Sequence, residues 1–169
     1  MTIQAVETQD KTIVAGLGEI KVSKDPSVVL TCLGLGSCVA VCAYDPVAKV
    51  GGMAHVVLPS SEGRAVKPSA KYADMAIPML IAETQRHGAL KTRLVVKLAG
   101  GAELSKAAGM DNAFKIGEKN QAAVKEVLSK ENIKVAAEEL GGNKGRTARM
   151  FVASGRVSVA SAGSETKEL

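Results

Sequence analysis

Aromatic side chains are nearly missing from this 169-residue chain: Tyr44, Tyr72, Phe114 and Phe151 make up the 2%, and there is no Trp. Any core must therefore be aliphatic, and the shortage argues against a stacking platform for nucleic-acid bases. Runs of like charge are missing too. The net charge of +5, from 22 basic and 17 acidic residues, is dispersed, which suits a solvated surface and gives no footprint for nucleic acid. No apolar stretch approaches the roughly 18 residues of a membrane span. The first residues lack the basic and apolar regions of a secretory signal, so a cytoplasmic protein without membrane insertion is expected. Cysteines are few and odd in number, Cys32, Cys38 and Cys42, which suits free thiols in a reducing compartment.

What is present is the balance of one soluble domain spanning residues 1–169, with 46% hydrophobic and 23% charged residues. Polar, unpatterned ends near 1–10 and 161–169 read as loose tails. Between them, β-type segments fall at 11–14, 19–22, 28–33, 38–44 and 50–58, and later at 94–99, 133–140, 147–153 and 157–160. Ala73, Ala76, Ile77, Leu80, Ile81 and Thr84 form one helical stripe ending at His87-Gly88. Pro78 falls in the first turn if Asp74 caps that helix, and kinks it if the helix starts near Ala70. A second stripe runs through Ile116, Ala123, Val124, Val127 and Leu128. Strands outnumber helices and often follow one another directly, so the expected class is α+β and layered, not a doubly wound nucleotide-binding sheet.

The chemistry centres on Cys38, which ends Leu33-Gly34-Leu35-Gly36-Ser37-Cys38, and on His55 in Gly51-Gly52-Met53-Ala54-His55-Val56. Asp45-Pro46 reads as a hairpin turn between them. Opposed residues of an antiparallel pair share a constant sum, and pairing 38 with 55 centres the turn between Pro46 and Val47. Their Cβ atoms would then lie about 4.5–5.5 Å apart, unless a bulge at Gly51-Gly52 shifts the register. A cysteine beside a histidine carries a thiolate–imidazolium pair suited to nucleophilic catalysis, and the backbone N–H groups of Ser37 and Cys38 are candidate oxyanion donors. A metal shared by Cys38 and Cys42 is improbable: on a strand at about 3.3 Å per residue their sulfurs stand some 13 Å apart, against zinc–sulfur bonds of about 2.3 Å. Gly34-Leu35-Gly36 lacks the Lys-Ser/Thr of a phosphate loop. Cys42 reads as core and His87 as a structural residue at a helix C-terminus. Gly100-Gly101 and Gly141-Gly142 are either plain turns or close backbone approaches beside a groove, and the Pro/Ser/Gly-rich stretch at 59–63 and 68–69 is a candidate rim.

These motifs together resemble the CheD family of chemoreceptor glutamine deamidases. The resemblance runs through Gly18-Glu19, the Gly34–Val39 stretch, Tyr44-Asp45-Pro46, Met53-Ala54-His55-Val56, Leu58-Pro59, Lys71-Tyr72-Ala73-Asp74, Ala99-Gly100-Gly101-Ala102, Ile116-Gly117, Asn120 and Gly141-Gly142-Asn143. It implies a layered α/β/β sandwich of the cytotoxic-necrotizing-factor deamidase type, a catalytic Cys38 and His55, and no cofactor. It also implies glutamines on chemoreceptor signalling helices as substrate and a CheC-type phosphatase as partner. Family members carry a threonine six residues before the nucleophile as a third site residue. This chain has Cys32 there, a weaker hydrogen-bonding partner and a candidate for orienting His55, with a backbone carbonyl as the other candidate. Thr31, one place earlier, points to the opposite face of a regular strand. A rival reading follows from that departure: a non-catalytic module that docks the phosphatase or a receptor.

Overall fold

A computed structural model describes residues 10–64, 67–104 and 115–169. In chain order its strands are β1 (Lys11–Val14), β2 (Ile20–Ser23), β3 (Val28–Leu35), β4 (Val39–Asp45) and β5 (Val50–Val56). Helix α1 (Ala73–Arg86), β6 (Val95–Gly100), α2 (Ile116–Lys130), β7 (Val135–Leu140), β8 (Arg146–Phe151), β9 (Val157–Ser161) and β10 (Lys167–Glu168) follow. They form two five-stranded sheets, ordered β1-β3-β8-β9-β10 and β2-β5-β4-β6-β7.

Every residue of β4 and β5 is buried, the mark of strands covered on both faces. Val39, Val41 and Ala43 join Val50, Ala54 and Val56 against Ala76, Ile77 and Leu80 of α1 and Val124 and Leu128 of α2. The opposite face, with Ala40, Cys42, Tyr44 and Met53, packs on Leu30, Cys32, Ala148, Met150 and Val159 of the other sheet. Helices, central sheet and outer sheet thus give an α/β/β sandwich with two aliphatic cores. Each fully buried Leu or Ile contributes about 1.5–3 kcal/mol, and no aromatic is needed.

The six residues of the first helical stripe are the buried face of α1. The helix starts at Ala73 with Tyr72 as its N-cap, so Pro78 lies beyond the first turn, on an exposed face, where it removes only the N–H that would donate to the Asp74 carbonyl. Asp74 instead accepts hydrogen bonds from the Ser61 N–H and hydroxyl, at 3.3 and 3.1 Å. A Cβ on Gly52 would stand 2.7 Å from Thr84 Cγ2 and 2.8 Å from Leu80 Cδ1; the missing side chain lets α1 lie directly on β5. His87 is the C-cap of α1, with Nδ1 donating to the Glu83 carbonyl at 2.9 Å, followed by Gly88 at φ +104°.

Two expectations about the chain ends meet different outcomes. The first nine residues lie outside the described residues. The C-terminal stretch is not a loose tail: β10 pairs with β9, the Leu169 N–H donates to the Val157 carbonyl at 3.0 Å, and Lys97 Nζ donates to the Leu169 carbonyl at 2.7 Å. Its polar composition suits an edge strand, whose outer face meets water. No helix among the described residues is long and apolar enough to cross a membrane.

Candidate active site

The β4–β5 hairpin forms, in a register two residues from the expected one. Ala40 opposes His55 and Val39 opposes Val56, with an unbroken ladder down to Asp45 and Val50. The turn is therefore centred between Val47 and Ala48. The loop is longer because Asp45 Oδ1 accepts the N–H groups of Val47 (2.9 Å) and Ala48 (3.0 Å), and Lys49 takes up a left-handed conformation at φ 56°. No bulge interrupts Gly51-Gly52. A shift of two preserves facing, so Cys38 and His55 still lie on the inter-sheet side of the hairpin. They are diagonal neighbours, with Cα atoms about 7–8 Å apart in regular geometry.

His55 is only 3% exposed and is held by the segment that crosses from the outer to the central sheet between β1 and β2. Its backbone N–H donates to the Glu19 carbonyl and its carbonyl accepts the Gly18 N–H, both at 3.0 Å. With both backbone groups turned toward β2, His55 and Ala40 form a non-hydrogen-bonded pair, the type whose side chains stand closer. The ring Nδ1 lies 3.0 Å from the Ala15 carbonyl. A carbonyl only accepts, so Nδ1 carries the proton and Nε2 of the neutral ring carries a lone pair. That Nε2 is buried with no partner among the described residues.

Cys38 is partly exposed, and all three thiols are free. Its sulfur packs at the edge of the inter-sheet core. Burial pushes its pKa up, offset in part by its own backbone N–H. Cys32 is fully buried in the same layer. Burial raises its thiol far above the ordinary range, and the nearby Cys42 and Cys38 raise it further. It does not orient His55, since Nδ1 is taken by Ala15 and Nε2 has no bond to it. Thr31 lies on the same strand as a buried residue whose Oγ1 finds no partner among the described residues. Burial drives Cys42 up to about 12, with Lys97 pulling weakly the other way; it is core, as expected.

The loop ahead of Cys38 is gripped through three consecutive carbonyls. Gly36 accepts from Ala102 N–H at 2.8 Å, Ser37 from Asn120 Nδ2 at 2.8 Å, and Cys38 from Gly101 N–H at 2.8 Å. The peptide bonds of the described residues are trans, so each N–H points opposite to the carbonyl before it. The Ser37 and Cys38 N–H groups therefore turn away from Ala102 and Asn120. Gly100 is required here: at φ +114° its Cβ would lie 2.2 Å from the Cys38 carbonyl oxygen. The first glycine pair thus makes a close backbone approach, and Gly141 and Gly142 line a cavity of about 570 Å³ with Gly101 and Gln121. Pro68 and Ser69 line a different groove, of about 820 Å³, between β2 and α1; neither Cys38 nor His55 borders it.

Asn120 is the site residue that patterning passes over. It sits on the buried stripe of α2 with Gly117, Val124 and Leu128, a polar residue among apolar spacings, and appears in the sequence only as one letter of the family motif set.

Fold and site together define a layered α/β/β protein with a free cysteine and a histidine on one face of its central hairpin. The family described as CheD chemotactic sensory transduction matches residues 57–161. The chain is 47% identical over 158 residues to a protein of Desulforamulus reducens named "Probable chemoreceptor glutamine deamidase CheD", covering 92% of this chain and 93% of that one. It is 48% identical over 150 residues to the "Chemoreceptor glutamine deamidase CheD" of Thermotoga maritima, covering 89% and 92%. Among solved structures, Neisseria meningitidis protein NMB0706 overlays with a TM-score of 0.45 at 11% identity, over 77% of this chain and 62% of that one. The chain belongs to the CheD family.

Proposed function

We propose that this protein hydrolyses the side-chain amide of glutamines on chemoreceptors, with Cys38 as nucleophile and His55 as its base. The single observation that carries the reading is the His55 ring. Its Nδ1–H is committed to the Ala15 carbonyl and its Nε2 lone pair is buried and unspent, on the same face as the free, partly exposed Cys38.

In the first half-reaction Nε2 takes the thiol proton as the sulfur bonds to the carboxamide carbon. The oxyanion that forms is received by the N–H groups of Ser37 and Cys38, turned outward by the inward-facing carbonyls. Collapse breaks the C–N bond, and the imidazolium returns its proton to the departing ammonia, leaving a thioester. In the second half-reaction neutral His55 takes a proton from water as the oxygen attacks the thioester carbon. The carbon–sulfur bond breaks, the sulfur regains a proton from His55, and glutamate leaves. No step requires a cofactor.

Exposed leucines support a protein substrate. Leu17 (70% exposed) lies in the segment that orients His55, Leu33 (52%) lies beside the irregularity in β3, and Leu104 (48%) packs over Gly36. Apolar side chains left in water suit the apolar face of a receptor helix. The same rim is the proposed docking surface for a CheC-type phosphatase. Ammonia release from a receptor cytoplasmic fragment tests the reading. Wild type should release ammonia with a one-dalton gain at glutamine residues, and Cys38→Ala and His55→Ala should release none above background. Equal release by Cys38→Ala would overturn the assignment and leave the non-catalytic docking reading.

A further inference from the structure

We infer that Asn120 is a positioning residue for the reaction, acting as a clamp between the nucleophile loop and the base strand. The inference rests on the Cys38–His55 assignment above. Asn120 is fully buried. Its one amide nitrogen donates both hydrogens to backbone carbonyls on different segments, Ser37 at 2.8 Å and Val57 at 2.9 Å. Ser37 directly precedes Cys38, and Val57 is two residues beyond His55. A single planar –NH2 group therefore fixes the separation of the two segments that carry the reacting side chains.

The clamp has a second consequence. Holding the Ser37 carbonyl against α2 forces the N–H of the same trans peptide, which belongs to Cys38, to face the opposite way. That N–H is one of the two donors assigned to the oxyanion. If the Ser37–Cys38 peptide were free to rotate, the donor would be lost to the reaction and the Cys38 sulfur would swing with it. Asn120 thus controls donor direction and sulfur position without touching substrate.

The chemistry of the residue is specific. Each carbonyl needs a donor, and only a side chain with two hydrogens on one atom at this reach serves both. Asp presents acceptors to two acceptors, and Ala presents nothing. The price of burying an amide is visible in Oδ1, which finds no partner among the described residues. A residue selected for packing alone at this point of an apolar stripe would not carry that orphan. Gly117, one turn earlier, lets α2 approach: a Cβ there would lie 2.4 Å from the Ala102 carbonyl oxygen and 2.6 Å from that of Gly101. The helix is thus pressed against the Gly101-Ala102 segment, whose N–H groups hold the Cys38 and Gly36 carbonyls on either side of the Ser37 carbonyl that Asn120 grips.

The test compares wild type, Asn120→Ala, Asn120→Asp and Cys38→Ala on a receptor fragment, with rates normalised to the folded fraction from far-UV circular dichroism. Both Asn120 variants should lose about 10²- to 10³-fold in kcat, the effect of losing an oxyanion donor, with KM changed by less than about twofold. Iodoacetamide labelling of Cys38 should persist in both, because the thiol itself remains. A second measurement uses wild type alone: carboxamidomethylation of Cys38 should shift both Asn120 side-chain amide proton resonances. Folded variants with kcat near wild type, or amide resonances unmoved by the label, would overturn the clamp. If Cys38→Ala also retains activity, the failure belongs to the catalytic assignment; if Cys38→Ala is dead while the Asn120 variants are fully active, it belongs to the clamp alone.

Discussion

At the scale of single residues, the site turns on which atom holds the His55 ring. Cys32 does not hold the ring; the Ala15 carbonyl takes Nδ1 at 3.0 Å. A backbone acceptor fixes the tautomer as well as a side chain does, and it cannot be removed by substitution. Cys32→Ala should therefore leave kcat within about threefold of wild type, measured as ammonia release per folded enzyme. A fall of a hundredfold or more would show that the thiol at position 32 takes part in the reaction. Cys32→Ala removes one buried sulfur from the inter-sheet layer and leaves the hydrogen bonds of His55 untouched, so a small stability change is separable from a change in rate.

At the scale of elements, the hairpin that brings Cys38 and His55 together is anchored by Asp45. Its carboxylate is fully buried and accepts from the Val47, Ala48 and Leu90 N–H groups and from Arg93. Burial alone would raise its pKa, but the Arg93 guanidinium and the three N–H groups outweigh that and hold it well below the usual carboxylate range. A depressed carboxylate contributes stability that is present above its unfolded pKa and is lost as pH falls through the folded value. Asp45→Asn should cost about 3 kcal/mol at pH 7, the low end for breaking a buried pair, since Arg93 keeps some access to water. The gap in urea midpoints should narrow as the pH is lowered through the carboxylate range; a gap that is constant with pH would remove the charge from the explanation.

The same element shows what the sequence made legible. Asp45-Pro46 between two apolar runs announced the hairpin, and period-3.6 spacing announced all six buried residues of α1, because both signals are local. The register was missed by two residues, because the left-handed Lys49 and the double acceptor at Asp45 lengthen the loop without any glycine to signal it. Cys38 and His55 stood out by residue type. Ala15 did not, because a backbone carbonyl has no letter of its own, and it reaches His55 only through the crossing from one sheet to the other. β10 was hidden for a related reason: a two-residue edge strand carries no apolar alternation.

At the scale of the whole molecule, the inter-sheet layer stores thiols where charge is not tolerated. Cys32 and Cys42 are buried on facing sheets, and burial raises both pKa values above the ordinary 9.0. In the folded state they stay protonated at pH values where the unfolded chain ionises, so the folded form binds more protons and stability falls with rising pH. This contribution is complete below the unfolded thiol value of 9.0 and is lost as pH climbs from there toward the folded values, about 12 for Cys42. The slope is on the order of 1 kcal/mol per thiol per pH unit above that point. Urea midpoints measured under reductant from neutral to alkaline pH should therefore drop faster for wild type than for the Cys32→Ala, Cys42→Ala double variant, although the variant starts lower at neutral pH because it has lost packing. Two curves that stay parallel through the thiol range would show that the inter-sheet layer admits enough water to solvate a thiolate. The site would then lose the dry wall against which Nε2 of His55 keeps its lone pair unspent.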